Sequence, residues 1–502
     1  VAPPPVPWEI FFWFGIVFVA FMLRMHDLGV RALHHDESLH AVYSYKLFTG
    51  QGYTHDPMMH GPFQFHAKAL MYFLFGDNDV TARLTEVLLG TGIVALAYTL
   101  RAELGRRGAM AAAILLAFSP CLLYFSRFSR EDILFGFHTF LMIVGLLGYV
   151  RTRQARWLYA GSIGLALGFS TKESIYLVGF LVVSFAVLWI AAEFLRNGQS
   201  GLLRVVFGVP PLVALNCVLI VVGICTVLYT TFFTNPDGIR SGTIGALQYW
   251  MEQQSVARGG QPTYYYALLM PLYEFLALAL AVCAVLTVGP SKRGLALVTG
   301  IFLVLAFGYF MIAQRATFGE RESTGWFLLG LSYAATMVFF LSRRGSLFFW
   351  FTLYWAIGTF SIYTLASEKM PWLTVHMAIP LALLGAQFVG WALDRFEWPR
   401  VRSGAFLLAG ALTLLVVALG IAATTASMSA AAAQIDMQTS LLWRLALGLL
   451  LVAAALGLFE IGRRRGGRFL FAPVGSALVL ALFFLSIHIA WQVTYKNGDV
   501  PN

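Results

Sequence analysis

The chain has 502 residues, 59% of them hydrophobic and 12% charged, and a net charge of +10. Soluble domains carry about 25% charged residues, so most of this surface is matched to lipid, and a water-soluble globular protein is excluded. The basic excess sits in short connections between apolar runs, a mark of membrane topology that argues against a nucleic-acid-binding surface.

Runs long enough to cross a hydrocarbon core of roughly 30 Å are predicted at 8–25, 79–101, 106–126, 132–150, 155–170, 174–196, 210–233, 264–288, 293–313, 324–342, 345–366, 371–394, 402–427, 441–461 and 469–495. The fold class is therefore all-α, a polytopic protein of about fifteen spans. The first run has no basic residue before it and no small-residue cleavage site after it, so a retained span is expected, not a signal peptide. The cysteines Cys121, Cys217, Cys225 and Cys283 all lie in apolar runs. Cys217 and Cys225 stand about 12 Å apart by helical rise, too far for a disulfide.

Arg101/Arg106/Arg107, Arg151/Arg153/Arg156, Arg196/Arg204, Lys292/Arg293, Arg343/Arg344, Arg395/Arg400/Arg402 and Arg463/Arg464/Arg465/Arg468 fall in alternate connections. The positive-inside rule then puts the N-terminus in the cytoplasm and the C-terminus outside. The opposite connections, 26–78, 127–131, 171–173, 234–263, 314–323, 367–370 and 428–440, carry carboxylates, histidines and aromatics. In the first of them, 38–49 and 62–75 read as amphipathic helices lying in the interface. The segment 234–263, with Asn235-Pro236-Asp237-Gly238, reads as a lid.

The leading constellation is His34-His35-Asp36-Glu37-Ser38, just beyond the first span. Adjacent carboxylates there can supply a general base and a metal ligand; equally, they can cap and charge the next helix N-terminus. Most of the 10 histidines (His26, His34, His35, His40, His55, His60, His66) share this loop. Imidazole is a common metal ligand and proton carrier, although no paired ligand spacing is present. Ser126 to Asp132 opens the fourth span. Ser129 and Asp132 fit a capping box. Arg127 and Arg130, at the positive end of a helix, fit an anion such as phosphate better than they fit the dipole. Ser170-Thr171-Lys172-Glu173 repeats that arrangement, Arg83 lies on the wrong side for topology, and Lys369 and His376 share a helical face. Each of these has a second reading as an interfacial anchor.

These residues, in this order, resemble the GT-C class of membrane glycosyltransferases. The nearest likeness is to the protein O-mannosyltransferase and lipid A aminoarabinose transferase superfamily, in a prokaryotic flippase-activity-associated branch. The matching motifs are Asp36-Glu37, His60-Gly61-Pro62-Phe63, Arg83-Leu84, Arg127 to Asp132, and Lys369-Met370-Pro371 through Pro380. The likeness covers 8–200 well and 365–390 locally. The chain has His60-Gly61 where the aminoarabinose enzymes have an acidic–basic pair.

The resemblance implies a GT-C fold divided into a catalytic module (1–200), a variable module (201–400) and C-terminal helices (401–502). It implies transfer of a sugar from a polyprenyl-phosphate carrier to a protein or glycolipid acceptor. Transfer would occur by inverting displacement on the outer face of a bacterial or archaeal cytoplasmic membrane. Asp36 would be the general base, with Glu37 and Asp132 as further catalytic candidates. Arg83, Arg127, Arg130, Lys172, Lys369 and His376 would hold the donor phosphate. Glu37, His35 and His60 would bind a divalent cation, with no other cofactor expected. Three other readings remain open at this point: a lipid-linked-sugar flippase, which needs polar groups at mid-membrane depth such as His138, Glu274, Arg444 or His488; a non-catalytic subunit of a larger membrane complex; and an oligosaccharide ligase or polymerase, which would use outer arginines but would not need Asp36.

Overall fold

The structure, a computed structural model, describes residues 6–253, 261–262, 264–288, 346–366, 368–396, 401–433 and 437–496. These are helical throughout, without a strand among the described residues. The expected spans at 293–313 and 324–342 and the connection 314–323 lie outside them. The chain forms two compact units, one of Val1–Leu393 with Ala490–Asn502, the other Asp394–Ile489.

The first span is helix α1 (Pro7–Met25), started by a proline at its first turn and apolar along its length. Helices α2 (His35–Phe48) and α3 (Phe63–Phe75) follow where interfacial helices are expected. Both expose apolar side chains, among them Val42, Tyr43, Leu70, Phe73 and Phe75, as suits helices lying against lipid.

Helix α4 (Asp79–Leu96) runs through a 3-10 turn into α5 (Arg101–Phe118), a continuous stretch of 40 residues from Asp79 to Phe118. It is not one rod. Gly105 has φ 71° and ψ 172°, a conformation open to glycine, and the helix breaks there. The ion pairs give the directions on either side of the break. Glu9, at the start of α1, meets Arg101 at 2.7 Å and Arg106 at 2.9 Å. At the other end of α1, Arg83 of α4 donates to the Leu28 carbonyl, and Arg24 donates to the Leu116 carbonyl of α5. So α4 runs against α1, α5 runs with it, and the pair is a hairpin turned at Gly105.

Helix α6 (Pro120–Phe125) leads to α7 (Glu131–Thr152), which pairs with α8 (Ala155–Phe169). Their backbones meet through glycine. A Cβ on Gly145 would lie 2.5 Å from the Gly161 nitrogen, and one on Gly148 2.4 Å from the Trp157 ring. Small residues permit this approach between helices in lipid. Helices α9 (Ile175–Asn197), α10 (Gly201–Phe207) and α11 (Pro211–Tyr229) continue the bundle.

Ten described helices are long and apolar enough to cross a membrane, or eleven if the bent pair Tyr265–Tyr273 and Phe275–Thr287 is one span. The 15 residues of α8 are fewer than such a span usually needs. The chain is an integral membrane protein. Two polar residues within the bundle have partners inside the protein: His138 Nδ1 bonds Thr171, and Glu274, at the 96° bend, accepts from Ser119 Oγ and the Cys121 amide. The Arg444 side chain is outside the described set, and His488 is exposed.

The charged groups sort to opposite ends of the first unit. Glu9, Arg101, Arg106 and the Glu103–Arg151 pair occupy one end. The connections 26–78, 127–131, 171–173, 234–253 and 368–372 converge at the other. The last described segment returns there too: Tyr495 donates its hydroxyl to the Leu23 carbonyl, with Arg127 over its ring at 4.6 Å.

Candidate active site

Adjacent residues on a helix diverge by about 100°, and the two carboxylates that open α2 part accordingly. His34 caps the helix, its Nδ1 accepting from the Asp36 amide at 3.3 Å while Glu37 Oε2 accepts from the His34 amide at 2.9 Å. Glu37 turns inward and is fully buried. It takes both sides of the Arg83 guanidinium, at 2.7 and 2.8 Å, and the Ser129 amide at 2.8 Å. Burial would raise its pKa, but Arg83 and the two backbone amides outweigh that and hold it below the usual carboxylate range. Arg83 also donates to the carbonyls of Leu28, Arg31 and Ala32. Asp36 turns the other way, with 29% of its side chain exposed, and pairs with Arg130.

Arg130 is the N-cap residue of α7. Its guanidinium contacts Asp36, reaches Glu131 at 3.1 Å, and lies 3.8 Å from the centre of the Trp372 ring, a cation–π contact. Burial disfavours its charge, and the carboxylates of Glu131, Asp132 and Asp36 more than restore it. Behind it, Lys172 bonds Asp132 at 2.7 Å and approaches Glu131 at 3.4 Å. Burial would lower the Lys172 ammonium, yet these two carboxylates raise it above its ordinary value. His376 Nε2 lies 3.1 Å from the same Asp132 oxygen.

His60 sits between two carboxylates, with Nδ1 donating to Glu173 at 2.7 Å and Nε2 3.3 Å from Glu131. Burial would lower its pKa; Glu173 first and Glu131 second outweigh that and raise it above 6.5. Its backbone is left-handed, φ 62° and ψ −161°, a conformation that non-glycine residues rarely hold. The cause is the next residue. The Gly61 amide donates to the Thr171 carbonyl and the Phe63 amide to the Ser170 carbonyl, docking this segment on the α8–α9 connection. A Cβ on Gly61 would lie 2.2 Å from the Ser170 oxygen.

Asp36, His40, His60, Arg130, Glu173, Glu368 and Trp372 line one cavity of about 310 Å³, with Tyr249 and Trp250 on a further wall. Of the sequence-predicted residues, Asp36, His60 and Arg130 face it, and Asp132, Lys172 and His376 form the ionic layer behind Arg130. The remaining ones are elsewhere. Glu37 and Arg83 are closed on one another, and His35 is exposed. Arg127 donates to the carbonyls of Leu23, Arg24, His26 and Asp27, capping the end of α1. Lys369 is buried with Nζ on the Ala366 carbonyl at 2.7 Å; burial lowers its pKa.

Four lining groups belong to segments marked in the sequence but carry no site role there: His40, Glu173, Glu368 and Trp372. The signal for Glu173 and Glu368 was their adjacency to predicted cations. His40 follows Asp36 by one helical turn, and its Nδ1 donates to the Ser129 carbonyl at 3.0 Å. Burial takes its pKa down to about 4, against the pull of Glu131, so it is neutral.

A divalent cation does not fit the set expected for it. The oxygens of Glu37 accept from Arg83 and two backbone amides, both His60 nitrogens face carboxylates, and His35 is exposed. Among the described residues, no three His, Cys, Asp or Glu side chains are placed to share an ion.

Residues 59–209 match the family model described as dolichyl-phosphate-mannose-protein mannosyltransferase. Among solved structures, ArnT from Cupriavidus metallidurans in the apo state aligns with a TM-score of 0.52 at 18% identity, over 98% of this chain and 78% of that one. ArnT bound to undecaprenyl phosphate aligns with the same TM-score at 19% identity, again over 98% and 78%. The chain has the GT-C fold. The S. cerevisiae protein O-mannosyltransferase Pmt1-Pmt2 complex bound to the sugar donor aligns at 19% identity and a TM-score of 0.37, over 46% of this chain and 34% of that one, a likeness too partial to build on. No curated protein matches the chain significantly. The class that the sequence resembles therefore recurs in the fold and in a family match containing His60, Arg83, Arg130, Asp132 and Lys172, with Asp36 and Lys369 outside it.

Proposed function

We propose that this protein is a membrane glycosyltransferase that moves a sugar from a polyprenyl-phosphate carrier to an acceptor hydroxyl on the outer face of the cytoplasmic membrane. The observation that carries this is the Asp36–Arg130 pair on the wall of the 310 Å³ cavity. Asp36, with 29% of its side chain exposed, is the most exposed carboxylate of the ion-paired cluster and lines the cavity where a second substrate would meet it. Support comes also from the GT-C fold and from the family match over 59–209.

Asp36 takes the proton from the acceptor hydroxyl as that oxygen attacks the anomeric carbon. The bond from that carbon to the phosphate oxygen breaks, and its electron pair leaves with the phosphate. A single displacement of this kind inverts the anomeric configuration. The leaving group is an anion, and Arg130 is the cation at the cavity surface positioned to stabilise its developing charge. Lys172, buried behind it among Asp132 and Glu131, keeps that layer close to neutral. The acceptor is a protein hydroxyl or a glycolipid. The outer-face assignment rests on the arginine alternation, since the site is at the end opposite Arg101, Arg106 and Arg151.

The test is Asp36→Asn in membranes supplied with polyprenyl-phosphate sugar. The variant is expected to fold and bind carrier but to lose roughly 10²–10⁴-fold in transfer. Undiminished transfer would sink the mechanism. Mass spectrometry of copurifying lipid identifies the carrier independently.

A further inference from the structure

The hairpin at 368–372 sends its two charged residues in opposite directions. Lys369 turns into the protein and onto the Ala366 carbonyl. Glu368, half-buried, lines the cavity instead, together with Trp372, Asp36 and His60. The other carboxylates on this wall have cationic partners, Asp36 in Arg130 and Glu173 in His60. Glu368 has no hydrogen bond or ion pair with any of the described residues.

An ionised carboxylate is an acceptor only, so whatever meets Glu368 has to bring a donor. The wall offers little to a further anion beside Glu368, because Asp36 and Glu173 are already among its lining carboxylates. Its apolar part suits a sugar. Trp250, Met58 and Met370 line the same cavity, and an aromatic or thioether surface takes the C–H face of a pyranose while its hydroxyls point to acceptors. A neutral hexose satisfies Glu368 through a hydroxyl. A uronic acid would set a second carboxylate against it, in a site where like charges interact strongly.

We propose that Glu368 determines the specificity of this cavity, accepting a hydroxyl hydrogen bond from a neutral sugar and excluding a carboxylated one. The inference rests on the glycosyltransferase reading above. It adds the class of sugar and the residue that selects it.

The experiment uses the full chain in nanodiscs, in an Asp36→Asn background where carrier binds without turnover. Three probes are compared: bare polyprenyl phosphate, a panel of polyprenyl-phosphate neutral hexoses, and the corresponding hexuronates. The preferred neutral lipid is expected to bind at least about tenfold tighter than its uronate, the scale of a hydrogen bond to a charged group. Glu368→Gln narrows that ratio, Glu368→Lys reverses it, and Glu368→Gln leaves bare carrier unchanged. A second arm measures transfer at saturating donor with Asp36 intact. Unchanged donor affinities with a tenfold slower Glu368→Gln rate assign the hydroxyl to the acceptor instead of the donor sugar. The proposal is overturned if Glu368→Gln and Glu368→Lys both leave the neutral-to-uronate ratio unchanged, whatever they do to the saturated rate. Failure of wild-type protein to bind any of the three lipids would instead overturn the glycosyltransferase reading itself.

Discussion

Glu37 and Arg83 meet side by side, Oε1 to Nε at 2.7 Å and Oε2 to Nη2 at 2.8 Å, and both are buried. This pair ties α2 to α4 one residue away from Asp36, and so sets where Asp36 points. Breaking a buried pair from one side leaves an uncompensated charge, which costs about 3–5 kcal/mol. Arg83→Met and Glu37→Leu are each expected to lower stability on that scale in detergent unfolding. The double variant should recover part of the loss but not all, because the carbonyls of Leu28, Arg31 and Ala32 stay without their donor. Additive losses in this cycle would show that the pair does not act as a unit.

Gly61→Ala asks whether the docked segment positions His60. Its Cβ would stand 2.2 Å from the Ser170 oxygen, a backbone atom that cannot turn aside. The segment has to move, at a cost of about 1–3 kcal/mol, and transfer is expected to fall at least tenfold. Gly15→Ala on α1, with nothing within 4 Å of the added carbon, serves as the control and should be neutral or slightly stabilising. Equal behaviour of the two variants would remove the positioning role.

His40 makes stability depend on pH in a definite direction. Its imidazole is neutral in the fold with a pKa of about 4, against 6.5 ordinarily. Between these values the unfolded chain binds more protons, so stability rises with pH. The contribution is complete above about 6.5 and is lost as the pH falls towards 4, by up to about 3 kcal/mol. Thermal unfolding at pH 7 and pH 5 should show the drop in wild type and a smaller one in His40→Gln. Parallel pH profiles for the two proteins would contradict this.

Lys68 and Glu86 are both fully buried at 2.5 Å, joining α3 to α4. Lys68→Met alone should destabilise by about 3–5 kcal/mol, whereas Lys68→Met with Glu86→Leu should approach wild type. A double variant no better than Lys68→Met would mean that packing, not charge, sets this contact. The readout is the yield of monodisperse protein and its melting temperature.

The helical architecture was legible because lipid demands long apolar runs, and the basic connections stand out against them. The hairpin at Gly105 is one case, since Arg101, Arg106 and Arg107 announce a turn between two runs. The interfacial helices could be read from amphipathic spacing in the same way. The candidate site was legible in its location, as the connections that carry carboxylates and histidines converge on Asp36, His60 and Arg130. It was less so in its roles, for a physical reason. Asp36 and Glu37 are neighbours of the same type, as are Glu368 and Lys369 in position, and only tertiary packing decides which of each pair faces the cavity. Arg83 and Arg127 look like anion ligands in sequence because their carboxylate and carbonyl partners lie far off along the chain.

The contact of Tyr495 with the Leu23 carbonyl joins positions 472 apart, and that separation is also an interval of time. At about 5–20 residues per second, roughly 25–95 s pass between synthesis of the two residues. The first helix is therefore made well before the residue that caps its C-terminal end, and that end waits for Tyr495 to be synthesised. A nonsense codon or proteolytic nick just ahead of Tyr495 would be felt at the end of α1, at the threshold of the loop that carries Asp36.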